Sequence, residues 1–321
     1  MLWVALRQPP RRLPTFPHKR DLAGPLESKP VSKSRAHIER DTLRHKSLLP
    51  HAFGFSLVIL LLVACGIPQP IPTSILPTPT ATATPTPTPP TVVTPAQVLF
   101  IGNSLTLFND LPGMFAELAR SGGHEVEVDM SAQGGWTCSD HATSAMTLDK
   151  IEQQNWHFVV LQEQSSIPAI ADQGNEYMYP AIRLLESKIS ERGAITVLFM
   201  AWGRRDGLPS AGYKDFAAMQ AQVQAGYMEI GNELDAMVAP VGIAWQNGIA
   251  QDPQLGLWQT DGLHPSTEGS YLAACVFYAV IYQQSPEGLT YEAELPEEMA
   301  QFLQAIAAET VLENSEEVRH D

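Results

Sequence analysis

The chain has 321 residues, and its net charge of −15 is unevenly spread. Residues 1–48 hold 11 Lys and Arg against 4 acids, whereas from Ala96 onward 9 bases face 31 acids. So acidic a region argues against a nucleic-acid partner, which needs clustered Lys and Arg. The three cysteines, Cys65, Cys138 and Cys275, show neither C-x-x-C nor metal-ligand spacing, which argues against a zinc site.

Residues 1–48 are rich in Arg, Lys and Pro without amphipathic periodicity. They read as a basic disordered arm or, preferably, as sequence upstream of a true translation start near Arg44 to Lys46. Residues 49–65 follow, with the dozen apolar residues Phe53 to Ala64 (FGFSLVILLLVA). A spanning helix needs about 20 apolar residues, so this run reads as the core of a secretory signal peptide. Its end, Leu62-Val63-Ala64-Cys65-Gly66, resembles a bacterial lipoprotein processing site. That resemblance implies lipidation of Cys65, a membrane anchor and an extracytoplasmic location. Residues 66–95 are dominated by Pro and Thr (PTPTATATPTPTPP) and have little to bury. An extended stalk is expected, at roughly 3 Å per residue.

From Ala96 the pattern changes, and residues 96–312 are long enough for one α/β core. Val98 to Ile101 reads as a buried strand. A helix is expected over Leu111 to Arg120, with Asp110 as N-cap, Pro112 in the first turn and Gly122-Gly123 at its end. Val126, Val128 and Met130 alternate with acids, as in a strand with one wet face. Phe158 to Leu161, Ile195 to Ala201 and, less cleanly, Met237 to Ala244 read as further strands. Helical spacing recurs at Ile182, Leu185 and Ile189, and from Leu272 to Val280. Repeated βα units predict a three-layer α/β/α sandwich with a central parallel sheet of about five strands. Residues 313–321 read as an acidic tail. Cys275 reads as a buried thiol, and the spacing does not decide whether Cys138 and Cys275 pair.

Open parallel sheets bind ligands beyond the carboxyl ends of their strands. After the first strand comes Gly102-Asn103-Ser104-Leu105, which exposes a serine where strand turns to helix. Near the other end stands Asp261-Gly262-Leu263-His264-Pro265, ahead of a helix starting near Ser266. A serine hydroxyl needs a base, which His264 can supply, and Asp261 three residues earlier can bond the other ring nitrogen. These two blocks, in this order, resemble the first and last blocks of the SGNH (GDSL-like) hydrolases. The resemblance covers Gln97 to about Gln284. It implies a flavodoxin-like strand order and an esterase with the triad Ser104, Asp261 and His264, using no metal and no cofactor.

Two positions depart from the family pattern. Asn103 stands where the family usually has Asp. The family's third block, Gly-x-Asn-Asp, is replaced by Gln162-Glu163-Gln164-Ser165, so its oxyanion-hole asparagine is missing. Gln carries the same carboxamide on a longer stem, which points to Gln162, slightly ahead of Gln164, as the side-chain donor. Gly134 or Gly135 would give a backbone donor and Ser104 another. Trp136 and Trp202, with Asn103, are candidates to line a substrate pocket, and Trp258 lies in a similar loop. Arg204-Arg205 read as a solvated loop. Asp140-His141 has no evident metal-binding partners, and Glu163 is expected to face away from the hole.

The expected substrate is a short-chain acyl ester, such as acetyl on a polysaccharide. The competing reading is a glycan-binding surface lipoprotein that keeps the fold without catalysis. A metal-dependent phosphoesterase lacks the His and Asp clusters it would need.

Overall fold

The computed structural model describes residues 95–313. The basic arm, the signal-like run, Cys65, the stalk up to residue 94 and the tail from residue 314 lie outside the described residues.

Five strands build one sheet: β1 (Ala96–Gly102), β2 (Val126–Ala132), β3 (Phe158–Leu161), β4 (Ile195–Phe199) and β5 (Met237–Ala239). All neighbours pair in parallel, in the order β2-β1-β3-β4-β5. This is the expected flavodoxin-like order. Side chains alternate across a strand, so Val98, Phe100, Val160, Val197 and Phe199 enter one apolar cluster. Leu99, Ile101, Val159, Leu161 and Leu198 enter a second cluster on the opposite face.

Helices cover both faces. Leu111–Ser121, Val241–Gln251, Thr267–Tyr282 and Glu297–Ala308 contribute to the first cluster, and Tyr179–Glu191 and Phe216–Leu234 to the second. Thr267–Tyr282 is buried continuously from Gly269 to Tyr282, as expected of a helix apolar all round. The expected three-layer α/β/α sandwich is therefore present.

Two strands end earlier than the apolar runs suggest. β4 stops at Phe199 rather than Ala201, and β5 stops at Ala239. Val241 to Ala244, read as strand, instead opens the Val241–Gln251 helix. Pro240 explains the switch: proline has no N–H to give a ladder and suits a helix entrance. A short apolar run alone does not distinguish strand from helix. Cys138 and Cys275 are both free and buried, and they lie in clusters on opposite faces of the sheet. They do not pair.

The strand order reverses about β1, which is flanked by β2 and β3. Ligands bind at such a switch point, and the loops that follow these three strands build the site.

Candidate active site

The Ser104 turn begins at Gly102. A Cβ there would stand 2.4 Å from Thr106 Oγ1 and 2.6 Å from Gln162 Oε1, so only glycine fits. Its carbonyl accepts a bond from His141 Nε2 at 2.8 Å. Asn103 then caps the short Ser104–Leu107 helix: its side-chain oxygen accepts from Leu105 N–H, and its Nδ2 donates to Trp136 O at 2.8 Å. Ser104 is left as the first helical residue, and its N–H meets no other group among the described residues. A free N–H at that place is suited to an anion.

Asp261 and His264 arrive from the other side of the cleft. Asp261 Oδ1 accepts from Leu263 N–H at 2.9 Å and from His264 N–H at 3.0 Å. Its Oδ2 meets His264 Nδ1 at 2.6 Å, and His264 Nε2 meets Ser104 Oγ at 2.9 Å. A carboxylate only accepts, so Nδ1 carries the proton and Nε2 is left as the acceptor for the serine hydroxyl. The bond from His264, followed by that from Leu263 N–H, holds the Asp261 carboxyl down at about 2. Phe108 stacks on the imidazole, with ring centroids 4.2 Å apart.

Ser104, Leu105, Asn103, Gly134, Gly135, Gln164, Ser165, Leu263 and His264 line a cavity of about 380 Å³. Gly135 has a φ of 78° in a turn closed by Trp136 N–H to Gln133 O at 3.1 Å. That conformation favours glycine. It leaves the Gly134 and Gly135 N–H groups without a partner among the described residues.

The two glutamines separate cleanly. Gln162 is 0% exposed, and its Oε1 accepts from Asn103 N–H at 2.9 Å and Thr106 Oγ1 at 3.0 Å. Its Nε2 donates to Glu163 O. Every polar end is occupied beneath the Ser104 turn, so Gln162, the slightly preferred oxyanion donor, is corrected to a scaffold residue. Gln164 Oε1 accepts from Ser166 N–H at 2.9 Å and Ser166 Oγ at 2.7 Å. A backbone N–H can only donate, so the oxygen faces Ser166 and the amide nitrogen is the free end.

The tryptophans also need correction. Trp202 is buried and stacked on Trp245 at 4.0 Å, and its Nε1 donates to Leu263 O at 3.0 Å. It supports the Asp261–His264 loop from below and does not line the cavity. Trp136 contributes its carbonyl to Asn103 and packs its ring edge-on against His141. It too is absent from the cavity wall. Trp258 donates to Gly203 O at 3.2 Å and lines a separate depression with Arg205, Phe216 and Leu255. Arg205 supports the acid loop through its backbone, donating to Gly262 O at 2.9 Å.

Four residues take structural roles that the sequence did not indicate. His141 is fully buried between Gly102 O and Thr147 Oγ1, and desolvation lowers its pKa. It is thereby a neutral brace for the Ser104 turn, and Asp140 closes a capping box with Thr137 instead of joining it as a ligand. Among the described residues, no His, Cys, Asp and Glu cluster could hold a metal. Asn109, with a left-handed φ of 55°, donates to Pro265 O, Ser266 O and Ser270 Oγ, tying the segment after Ser104 to the residues that follow His264. Phe108 and Glu163 complete the set. Glu163 does face away from the cavity, as expected, but it is wholly buried. None of these carries a local motif, since each acts on residues distant in sequence.

No family model and no curated protein matches the sequence. Among solved structures, a DUF4886 family protein from Bacteroides uniformis aligns at a TM-score of 0.58 and 18% identity, over 68% of this chain and 95% of its own. A protein from Slackia heliotrinireducens, described as belonging to the SGNH hydrolases, aligns at 29% identity and TM-score 0.49, over 58% and 98%. The fold is that of the DUF4886 family protein. An acetyl-xylooligosaccharide esterase from Geobacillus aligns at 17% identity and TM-score 0.48, over 59% and 95%. In this fold Ser104, His264 and Asp261 come from the two ends of the domain and meet at one cleft. Gln164, third beyond the end of β3, brings a carboxamide to the cavity that the sequence pattern alone leaves unassigned.

Proposed function

We propose that the chain is a serine esterase acting on a short-chain acyl ester, with acetyl on a carbohydrate as the favoured substrate class. The observation that carries the reading is the continuous relay from Asp261 through His264 to Ser104 Oγ, with bonds of 2.6 and 2.9 Å. It opens on a cavity with unpartnered N–H groups. In the proposed reaction Ser104 Oγ attacks the ester carbonyl while His264 Nε2 takes its proton. Asp261 holds the tautomer and stabilises the imidazolium. The Ser104 N–H, a Gly134 or Gly135 N–H and the Gln164 amide are the donors available to the oxyanion, each worth about 3 kcal/mol. His264 then returns the proton to the leaving alcohol, and water reverses the sequence. A cavity of about 380 Å³ with Leu105 and Leu263 on its wall supports a small acyl group.

The test is hydrolysis of p-nitrophenyl acetate by wild type and Ser104→Ala. Activity that disappears in the variant supports the esterase. Two folded and equally inert proteins would move the glycan-binding reading ahead.

We also propose that Cys65 is lipidated and holds the domain outside the cytoplasm on its Pro/Thr stalk, on the strength of the Leu62 to Gly66 sequence. Fatty-acid labelling of the full chain in a bacterial host, lost in Cys65→Ala, checks it. Equal labelling of the two forms would contradict it.

A further inference from the structure

Glu163 is a buried acid that the proposed reaction does not use. Its Oε1 accepts from Gln164 N–H at 2.6 Å and from Cys138 N–H at 3.1 Å, with Oε2 also 3.3 Å from Cys138 N. Those two N–H groups belong to different loops. Gln164 follows β3 and carries the free amide in the cavity. Cys138 ends the loop that follows β2 and carries Gly134 and Gly135, two residues beyond the Trp136 carbonyl that anchors Asn103. The backbone of Glu163 is itself fixed, since its N–H donates to Tyr227 Oη at 3.0 Å. One carboxylate therefore joins the two loops that bear the unpartnered donors.

The placement is costly in isolation. No Lys, Arg or His pairs with Glu163 among the described residues, and burial raises its pKa to about 7, against the opposing effect of the two N–H bonds. The groups facing it are Asp140 and the Cys138 thiol on the Cys138–Thr143 helix, and Tyr227 on Phe216–Leu234. None supplies positive charge. A neutral carboxamide or an apolar side chain would be cheaper to bury, so fold stability alone does not account for a carboxylate here.

We propose that Glu163 is a positioning residue, whose buried carboxylate locks the β2 and β3 loops together so that the Gln164 amide and the Gly134–Gly135 N–H groups converge on one oxyanion. The inference rests on the esterase reading above and deepens it. Glu163 touches no substrate. It acts only through Cys138 and Gln164. A protonated carboxyl has one fewer acceptor site for these bonds, so the carboxylate form is the competent one.

The test compares wild type with Glu163→Gln, which is nearly isosteric and should fold, and with Glu163→Ala. On p-nitrophenyl acetate, Glu163→Gln should lower kcat about tenfold and Glu163→Ala about a hundredfold, with KM little changed, as expected when donors are misplaced. In wild type the acid limb of log(kcat/KM) against pH should be steeper than in Glu163→Gln by one proton, the one that Glu163 takes up. A Glu163→Gln enzyme with wild-type kcat and an unchanged acid limb would overturn the proposal. Amide exchange keeps the question separate from the esterase reading. Cys138 and Gln164 N–H should exchange at least tenfold faster in Glu163→Ala, while the amides of β1 and β3 stay protected. If wild type proves no more active than Ser104→Ala, the esterase reading fails, and exchange alone decides whether Glu163 locks the loops. Unchanged protection of both amides would then overturn the proposal.

Discussion

The two halves of the site are held in different ways. Ser104 sits on a turn propped from beneath by Gln162, Thr106 and His141, all buried, and by Asn103, which is 2% exposed. Each is fixed by hydrogen bonds to residues about 30 to 60 positions away. The Asp261–His264 loop is nearly self-contained. Asp261 bonds the backbone two and three residues on, and its side chain remains 47% exposed. From outside, Trp202 and Arg205 bond its backbone, Phe108 stacks on the His264 ring and Ser104 meets His264 Nε2. Ser104 is thus positioned by the core and His264 by its own local sequence. Mutations should separate stability from activity differently on the two sides.

The largest effects belong to the relay. Ser104→Ala should reduce ester turnover by about 10⁴-fold or more, with circular dichroism unchanged. Asp261→Asn should cost about 10³- to 10⁴-fold in kcat by removing the acceptor that fixes the Nδ1–H tautomer. Because the side chain is half exposed, its melting temperature near neutral pH should stay close to wild type. Loss of stability as large as loss of activity would show that the loop depends on the core after all.

The glutamines sharpen the contrast within the buried half. Gln162→Ala leaves Asn103 N–H and Thr106 Oγ1 without their acceptor and should destabilise the domain by about 2–3 kcal/mol, read by chemical unfolding. Gln164→Ala should leave unfolding nearly unchanged and lower kcat about a hundredfold. If the two phenotypes were exchanged, the roles assigned to these residues would be reversed.

A smaller effect is expected from pH. Glu163 holds its proton up to about pH 7 in the folded chain, against an ordinary value of 4.5. The folded state binds the extra proton between these limits, so stability falls as pH rises through that window, by about 3 kcal/mol in all. Glu163→Gln should flatten this dependence in urea unfolding between pH 5 and pH 8. Asp261 works in the opposite direction and much lower: its depressed carboxyl favours the fold above its ordinary value of 3.8, and that contribution is lost as pH falls toward 2. The smallest change should come from Asn109→Ala, a few-fold loss of kcat as the histidine loop loosens.

The same division explains what the sequence disclosed. The cores of the β-strand runs, the Leu111–Ser121 helix with its Asp110 cap and the Asp261-x-x-His264 spacing are local patterns and were legible, whereas the apolar run past Pro240 was read as strand and is helix. Ser104 was legible because a strand end followed by Gly-Asn-Ser places it. Gln162 and Gln164 could not be ordered, since both carry the same amide two residues apart and only the depth of each side chain decides between cradle and cavity. Trp202 looked like a pocket residue because its loop follows β4, yet stacking on Trp245 buries it. His141 and Glu163 are defined by partners on other elements, which spacing along the chain does not reveal.

The central claim is that the relay activates Ser104, and covalent labelling tests it most directly. Residues 96–321 treated with a fluorophosphonate should yield a single adduct, mapped by mass spectrometry to the peptide holding Ser104. Labelling should slow at least a hundredfold in His264→Ala. A wild-type protein that stays unmodified, or one labelled equally fast without His264, would contradict the account.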